Sequence, residues 1–158
     1  VFVLPLAGAR TPEVLLAGDA GERDAVISPD GRFVAYGSNE SGGMNIFVRP
    51  FPSGEGRWQI SSDLGFEPRW SPDMKELYFR RAAAIVRVPI ETRGGFRAGR
   101  PEIAVDRTSA AGGIHTYSIA ADGRILTPRS PNPLDGARIV HLDLDFARRL
   151  ARRADGGR

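Results

Sequence analysis

Few residues in this chain have the types and spacing that chemistry needs. There are two histidines, His115 and His141, and no cysteine, so a thiol nucleophile, a Cys-ligated zinc and a disulfide framework are excluded. No Gly-x-Ser-x-Gly elbow, phosphate-binding glycine loop, His-Glu-x-x-His pair or kinase signature occurs. His141, Asp143 and Asp145 stand at i, i+2 and i+4, so a regular strand would turn them to one side, as divalent-ion ligands need. A solvated strand end accounts for them better, with Asp143 in a turn and Asp145 capping a helix. No catalytic residue, metal site or cofactor is expected. The residues left to carry function are polar ones on a recurring strand, and their meaning depends on the elements that hold them.

Composition points to strands. Of 158 residues 41% are apolar, enough for one domain with a modest core. Gly and Pro together number 31, about a fifth, against roughly 12% on average, so turns are frequent and elements short. No apolar run approaches the ~20 residues that cross a bilayer. The net charge of +3 is a local matter, because residues 146–158 hold five Arg and one Asp and leave the rest at −1. All basic residues but Lys75 are Arg, a bias of composition rather than of phosphate recognition, and no nucleic-acid partner is expected.

Two motifs recur in step. Ser28-Pro29-Asp30-Gly31, Ser71-Pro72-Asp73-Met74 and Ala120-Ala121-Asp122-Gly123 place their aspartates 43 and 49 residues apart. Each precedes a β-rich run such as Phe33-Val34-Ala35-Tyr36. Pro presets φ at the second turn position, Asp suits the third, and Gly accepts positive φ at the exit, so the motif joins two antiparallel strands. Met74 stands where Gly is expected, and replacing it by Gly is expected to relieve strain. The second motif is a strand ending near Pro: Val1-Phe2-Val3-Leu4-Pro5-Leu6, Ile46-Phe47-Val48-Arg49-Pro50-Phe51, Ile85-Val86-Arg87-Val88-Pro89-Ile90 and Ile139-Val140-His141-Leu142-Asp143-Leu144. A fourth short run follows at Glu13-Val14-Leu15-Leu16, Arg57-Trp58-Gln59-Ile60 and Glu102-Ile103-Ala104-Val105. Four short strands every ~45 residues is the spacing of propeller blades.

These repeats resemble those of TolB-type WD-like (PD-repeat) β-propellers. The resemblance rests on 27–36 (Ile-Ser-Pro-Asp-Gly-Arg-Phe-Val-Ala-Tyr), 67–73 (Glu-Pro-Arg-Trp-Ser-Pro-Asp) and 46–51, and spans about residues 1–150. It is closest to propellers in the C-terminal region of bacterial eukaryotic-like serine/threonine protein kinases. It departs at Met74 and at Ala120-Ala121, where Ser-Pro is expected. It implies an all-β fold, a partial propeller of about three four-stranded antiparallel blades over 1–145. That region divides into a half blade at 1–17, blades at 24–61 and 67–105, and a last blade at 114–144. A short helix and basic tail are expected over 146–158, with Phe146, Ala147, Leu150 and Ala151 on one face. Opening on the third strand of a blade and closing on an incomplete one, the chain reads as the C-terminal part of a longer protein with some six to eight blades. Exposed blade edges are expected to favour self-association.

Within each blade, the first strand is the informative one. Aligned on the turns, Ala25, Pro68 and Tyr117 coincide, as do Ile27, Trp70 and Ile119, and these apolar positions are expected to pack between blades. By alternation Asp24, Glu67 and Thr116, then Val26, Arg69 and Ser118, are expected to face a polar central channel. The resemblance implies a noncatalytic propeller that binds a protein, a peptide or a small polar ligand, besides the remaining blades of its parent. As the sensor region of a transmembrane kinase it would lie on the extracytoplasmic side of a bacterial membrane, and otherwise in the cytoplasm. The alternative is the gating propeller of a prolyl-oligopeptidase-like serine hydrolase, with a Ser-His-Asp domain after residue 158. Residues 49–52 (Arg-Pro-Phe-Pro) and 66–70 favour the first.

Overall fold

A computed structural model describes residues 1–8, 10–17, 19–53, 55–106, 108 and 117–127. They form strands only: β1 (Phe2–Val3), β2 (Glu13–Val14), β3 (Glu22–Ile27), β4 (Phe33–Ser38), β5 (Asn45–Pro50), β6 (Trp58–Gln59), β7 (Phe66–Trp70), β8 (Glu76–Arg81), β9 (Ala84–Glu91), β10 (Arg97–Ala98), β11 (Glu102–Val105), β12 (Ser118–Ile119) and β13 (Ile125–Leu126). The fold of the described residues is all-β and every pairing is antiparallel. β3-β4-β5-β6 make one four-stranded sheet, called sheet I below. In sheet II, β7-β8-β9 run side by side, and β10 and β11 both pair with β9, at Ile90–Glu91 and at Ile85–Arg87. β10 has no counterpart in the repeat pattern. β1–β2 and β12–β13 are two-stranded. The helix expected at 146–153, the strand at 138–144 and the triad His141, Asp143 and Asp145 lie outside the described residues.

The turn motifs fold alike because one carboxylate organises each of them. Asp30 Oδ1 accepts from the Ser28 hydroxyl at 2.6 Å and the Arg32 amide at 3.1 Å, and Asp73 Oδ1 from Ser71 at 2.7 Å and the Lys75 amide at 3.2 Å. The serine oxygens in turn accept from the amides of Phe33 at 3.0 Å and Glu76 at 2.9 Å, starting the next strand. Gly31, Met74 and Gly123 have φ of 70°, 62° and 82°, so the fourth position of each motif needs the left-handed region that glycine enters freely. In the third motif Ala120 lacks the hydroxyl, and the hairpin closes one residue sooner, with Ile119 opposite Ile125 where Ile27 faces Val34. Pro29 and Pro72 occupy the second position of the first two turns.

Register explains why β4 and β5 are apolar nearly throughout. Val26, Ala35, Val48 and Trp58 form a row across one face of sheet I. Trp70, Leu77 and Val88 form a row across sheet II. The two rows belong to one buried cluster with Phe33, Ile60, Phe79, Val86, Ile90 and Phe96. Phe96 is the hub, with ring centroids 4.7 Å from Trp58, 5.2 Å from Phe33 and 6.4 Å from Trp70. The opposite face of sheet I packs Tyr36 and Phe47 against Leu16, and that of sheet II packs Tyr78 and Ile85 against Tyr117. β4, buried throughout, is thus covered on both faces and reads as a continuous run, whereas β9 alternates from Val86 onward, with Val88 and Ile90 buried and Arg87, Pro89 and Glu91 exposed. Met74, expected to be merely strained, packs against the main cluster, so its side chain has a task that glycine could not perform.

Candidate functional site

The first strands of the two large sheets share a distortion that the sequence does not announce. The ladder shifts between Arg23 and Val26 in β3 and between Phe66 and Arg69 in β7. At these bulges Asp24 and Glu67 take φ of 55° and 53°. An extra residue in a strand interrupts the period of two and re-aims the side chains on either side. Simple alternation through 24–27 therefore misassigns faces. Val26 is the clear correction: instead of lining a polar channel it packs against the main apolar cluster. Ile27, expected between sheets, is 46% exposed, and Ala25 is exposed as well. The physical reason is the bulge: its extra residue shifts the alternation, so Val26 turns to the face that packs on the core while Ala25 and Ile27 stay exposed.

Among the other candidates, Asp24 is half-buried, Arg69 is half-buried and Ser118 is exposed, while Thr116 lies outside the described residues. Glu67 is 5% exposed, and Arg80 Nε lies 3.3 Å from its carboxylate. The Tyr117 hydroxyl donates to the Glu67 carbonyl at 2.7 Å, tying β12–β13 to the bulge. Burial pushes the Tyr117 phenol well above its ordinary range. Position 80 of sheet II corresponds to Gly37 in sheet I, so Asp24 has no equivalent arginine across the ladder. The candidates thus divide into a buried, ion-paired group at Glu67 and partly open positions at Asp24 and Arg69.

A second place was not legible in the sequence, because its walls come from a loop and three strands distant along the chain. A cleft of about 960 Å³ opens between Leu16, Ala17, Asp19 and Ala20 on one side and sheet I on the other, lined by Glu22, Tyr36, Asn39, Glu40, Arg49 and Arg57 among others. Arg57 is ion-paired with Glu40, and its guanidinium lies 5.2 Å from the Phe47 ring centroid. Burial, with Glu40 nearby, raises the Tyr36 phenol above its ordinary value, so it stays a donor. Arg49 donates from Nη1 to the Leu15 carbonyl at 3.4 Å, but its buried Nε has no hydrogen-bond partner among the described residues. A buried donor left unpaired in a native fold is uncommon and costly, about 1–3 kcal/mol.

The pKa shifts at the phenols and turn carboxyls run away from neutrality. A general base works best with a pKa near the working pH. The Tyr78 phenol, by contrast, is pushed up to about 12 by burial and by the Glu76 carboxylate that accepts its hydrogen bond. In the turns, hydrogen bonds hold the carboxyls of Asp30, Asp73 and Asp122 below their ordinary value. Among the described residues no group of three or more His, Asp or Glu is placed to hold a metal ion.

No family model matches the chain, and no curated protein matches it. Among solved structures it is similar to TolB from Acinetobacter baumannii. The identity is 18% and the TM-score 0.47, over 83% of this chain and 43% of that one. The chain thus spans less than half the length of that structure. An identity and a score so low speak to neither activity nor partner.

Proposed function

We propose that the chain is a segment of a β-propeller whose task is noncatalytic binding of a protein or peptide partner. Sheets I and II as successive blades, with β1–β2 and β12–β13 as parts of two more, support the architecture. The observation that carries the binding reading is the cleft itself, with Arg49 in its wall. Arg49, Tyr36, Asn39 and the Glu40–Arg57 pair offer polar contacts to the carbonyls or carboxylates of a bound peptide. The volume falls in the range of about 300–1,000 Å³ usual for ligand sites. The finer reading places this segment at the C-terminal, sensing end of a bacterial serine/threonine kinase, and a kinase domain encoded ahead of residue 1 would support that.

Displayed random peptides selected on the full 158-residue chain test the binding reading. Selected peptides are expected to lose at least tenfold in affinity on Arg49→Met, about 1.4 kcal/mol. Equal binding to Arg49→Met would remove the cleft as the site.

A further inference from the structure

We propose that Asp122 is a modification site, where the chain slowly converts aspartate to isoaspartate through a cyclic imide. Among the described residues aspartate precedes glycine at Asp30-Gly31 and at Asp122-Gly123. That pair favours the reaction, because a glycine amide has no side chain to shield it from the neighbouring carboxyl. At both glycines a Cβ would meet nothing within 4 Å. The Asp122 side chain is 54% exposed, against 26% for Asp30, so water reaches it. The steps balance with water as the sole co-reactant. The Gly123 nitrogen loses its proton and bonds to Asp122 Cγ. One carboxylate oxygen leaves as water, carrying that proton and one from solvent. A second water adds to the former main-chain carbonyl of the ring, and the bond from that carbon to nitrogen breaks. The main chain then runs through Cγ and is one carbon longer.

Three turns of one motif separate the factors. In each, the carboxylate must leave the amide two residues on, that of Arg32, Lys75 or Arg124, before Cγ can meet the next nitrogen. Asp30 and Asp122 each also accept from an arginine Nε at 2.7 Å. The glycine amides are engaged alike, Gly31 with the Ser28 carbonyl at 2.9 Å and Gly123 with that of Ala120 at 3.0 Å. The difference is a hydroxyl. Ser28 donates to Asp30 at 2.6 Å and Ser71 to Asp73 at 2.7 Å, whereas Ala120 has no donor to offer Asp122. Hydrogen bonds to an ionised group are the stronger kind, so lacking one frees the Asp122 carboxylate to turn. Asp73 supplies the second comparison, because Met74 sets a side chain beside the amide. Asp122 is therefore the fastest of the three and Asp73 the slowest. The product removes the acceptor of the Arg124 amide, next to the pairs that close β12 on β13.

Incubating the full 158-residue chain in heavy-oxygen water labels every reopened ring, and trypsin separates the three sites on peptides 24–32, 70–75 and 108–124. Fragment masses distinguish Asp30 from Asp24 on the first peptide. Label and isoaspartate are expected to enter Asp122 at least tenfold faster than Asp30, a difference of about 1.4 kcal/mol in barrier. Ala120→Ser restores the missing donor and is expected to slow Asp122 at least threefold while Asp30 keeps its rate. In concentrated guanidinium chloride the two Asp-Gly sites are expected to converge, because only the folded turns tell them apart. Equal native rates at Asp30 and Asp122 would overturn the proposal, as would an Ala120→Ser chain that labels Asp122 as fast as before. A difference that persists in denaturant would also overturn it, by assigning the rate to neighbouring residues rather than to the turn.

Discussion

Met74 shows how one side chain can hold opposing terms. Its φ of 62° carries a steric penalty of about 1–2 kcal/mol for an ordinary residue, which a glycine at this position would escape. Its side chain packs against the main core, however, and losing that partial burial costs about 1–2 kcal/mol. A freer unfolded chain takes away roughly 0.5–1 kcal/mol more. Met74→Gly is therefore expected to destabilise by about 0.5–1 kcal/mol, reversing the expectation drawn from the turn alone. Gly31→Ala isolates the conformational term, because a Cβ there meets nothing within 4 Å. It is expected to lose about 0.5–1 kcal/mol, the φ penalty less what the stiffer unfolded chain returns. Denaturant midpoints of the two variants check both values, and a stabilised Met74→Gly would show the packing term to be negligible.

At the scale of the hairpin, the Ser-x-Asp turns couple strand pairing to pH. Burial alone would raise the Asp30 carboxyl, but hydrogen bonds from Ser28 and Arg32 outweigh it and hold it low. The Ser71 hydroxyl and the Lys75 amide do the same for Asp73, and the Arg124 amide foremost for Asp122. A carboxyl with a lower pKa folded than unfolded stabilises the fold above its unfolded value, about 3.9. That contribution fades as pH falls through the folded value. Stability is thus expected to hold down to about pH 5 and to decline below about pH 4, with a shallower decline in Asp30→Asn. Chemical denaturation from about pH 6 to about pH 2.5 measures the slope, and identical slopes in the two proteins would show that the turn carboxylate contributes nothing.

For the molecule as a whole, stability depends on how successive sheets are joined. Phe96 bridges sheets I and II through aromatic contacts, whereas β12–β13 is joined to sheet II through Tyr117. Tyr117→Phe keeps the ring and removes only the donor to the Glu67 carbonyl, at an expected cost of about 1–3 kcal/mol. Amide exchange is expected to speed up most at Ile119 and Ile125, next to the lost bond. Uniform acceleration in sheets I and II would instead mean that the three sheets unfold as one unit.

The amino-acid sequence by itself determined the local elements. A Ser, a Pro and an Asp fix a turn through a preset φ and side-chain hydrogen bonds, so the hairpins at 28–31 and 71–74 follow from the residues present, with Gly31 in the fourth place of one and Met74 in that of the other. Short apolar runs likewise specify strands, because β-branched and aromatic side chains suit a pleated surface. The faces were decided only by tertiary structure. Bulges at Asp24 and Glu67 interrupt alternation, and stacking buries β4 on both faces while it leaves Ala25, Ile27, Arg87 and Pro89 exposed. For that reason Val26 lies in the core and Glu67 is buried against Arg80. The cleft around Arg49 likewise exists only where Leu16, Ala17, Asp19 and Ala20 meet Tyr36, Arg49 and Arg57 farther along the chain, a juxtaposition that no local pattern encodes.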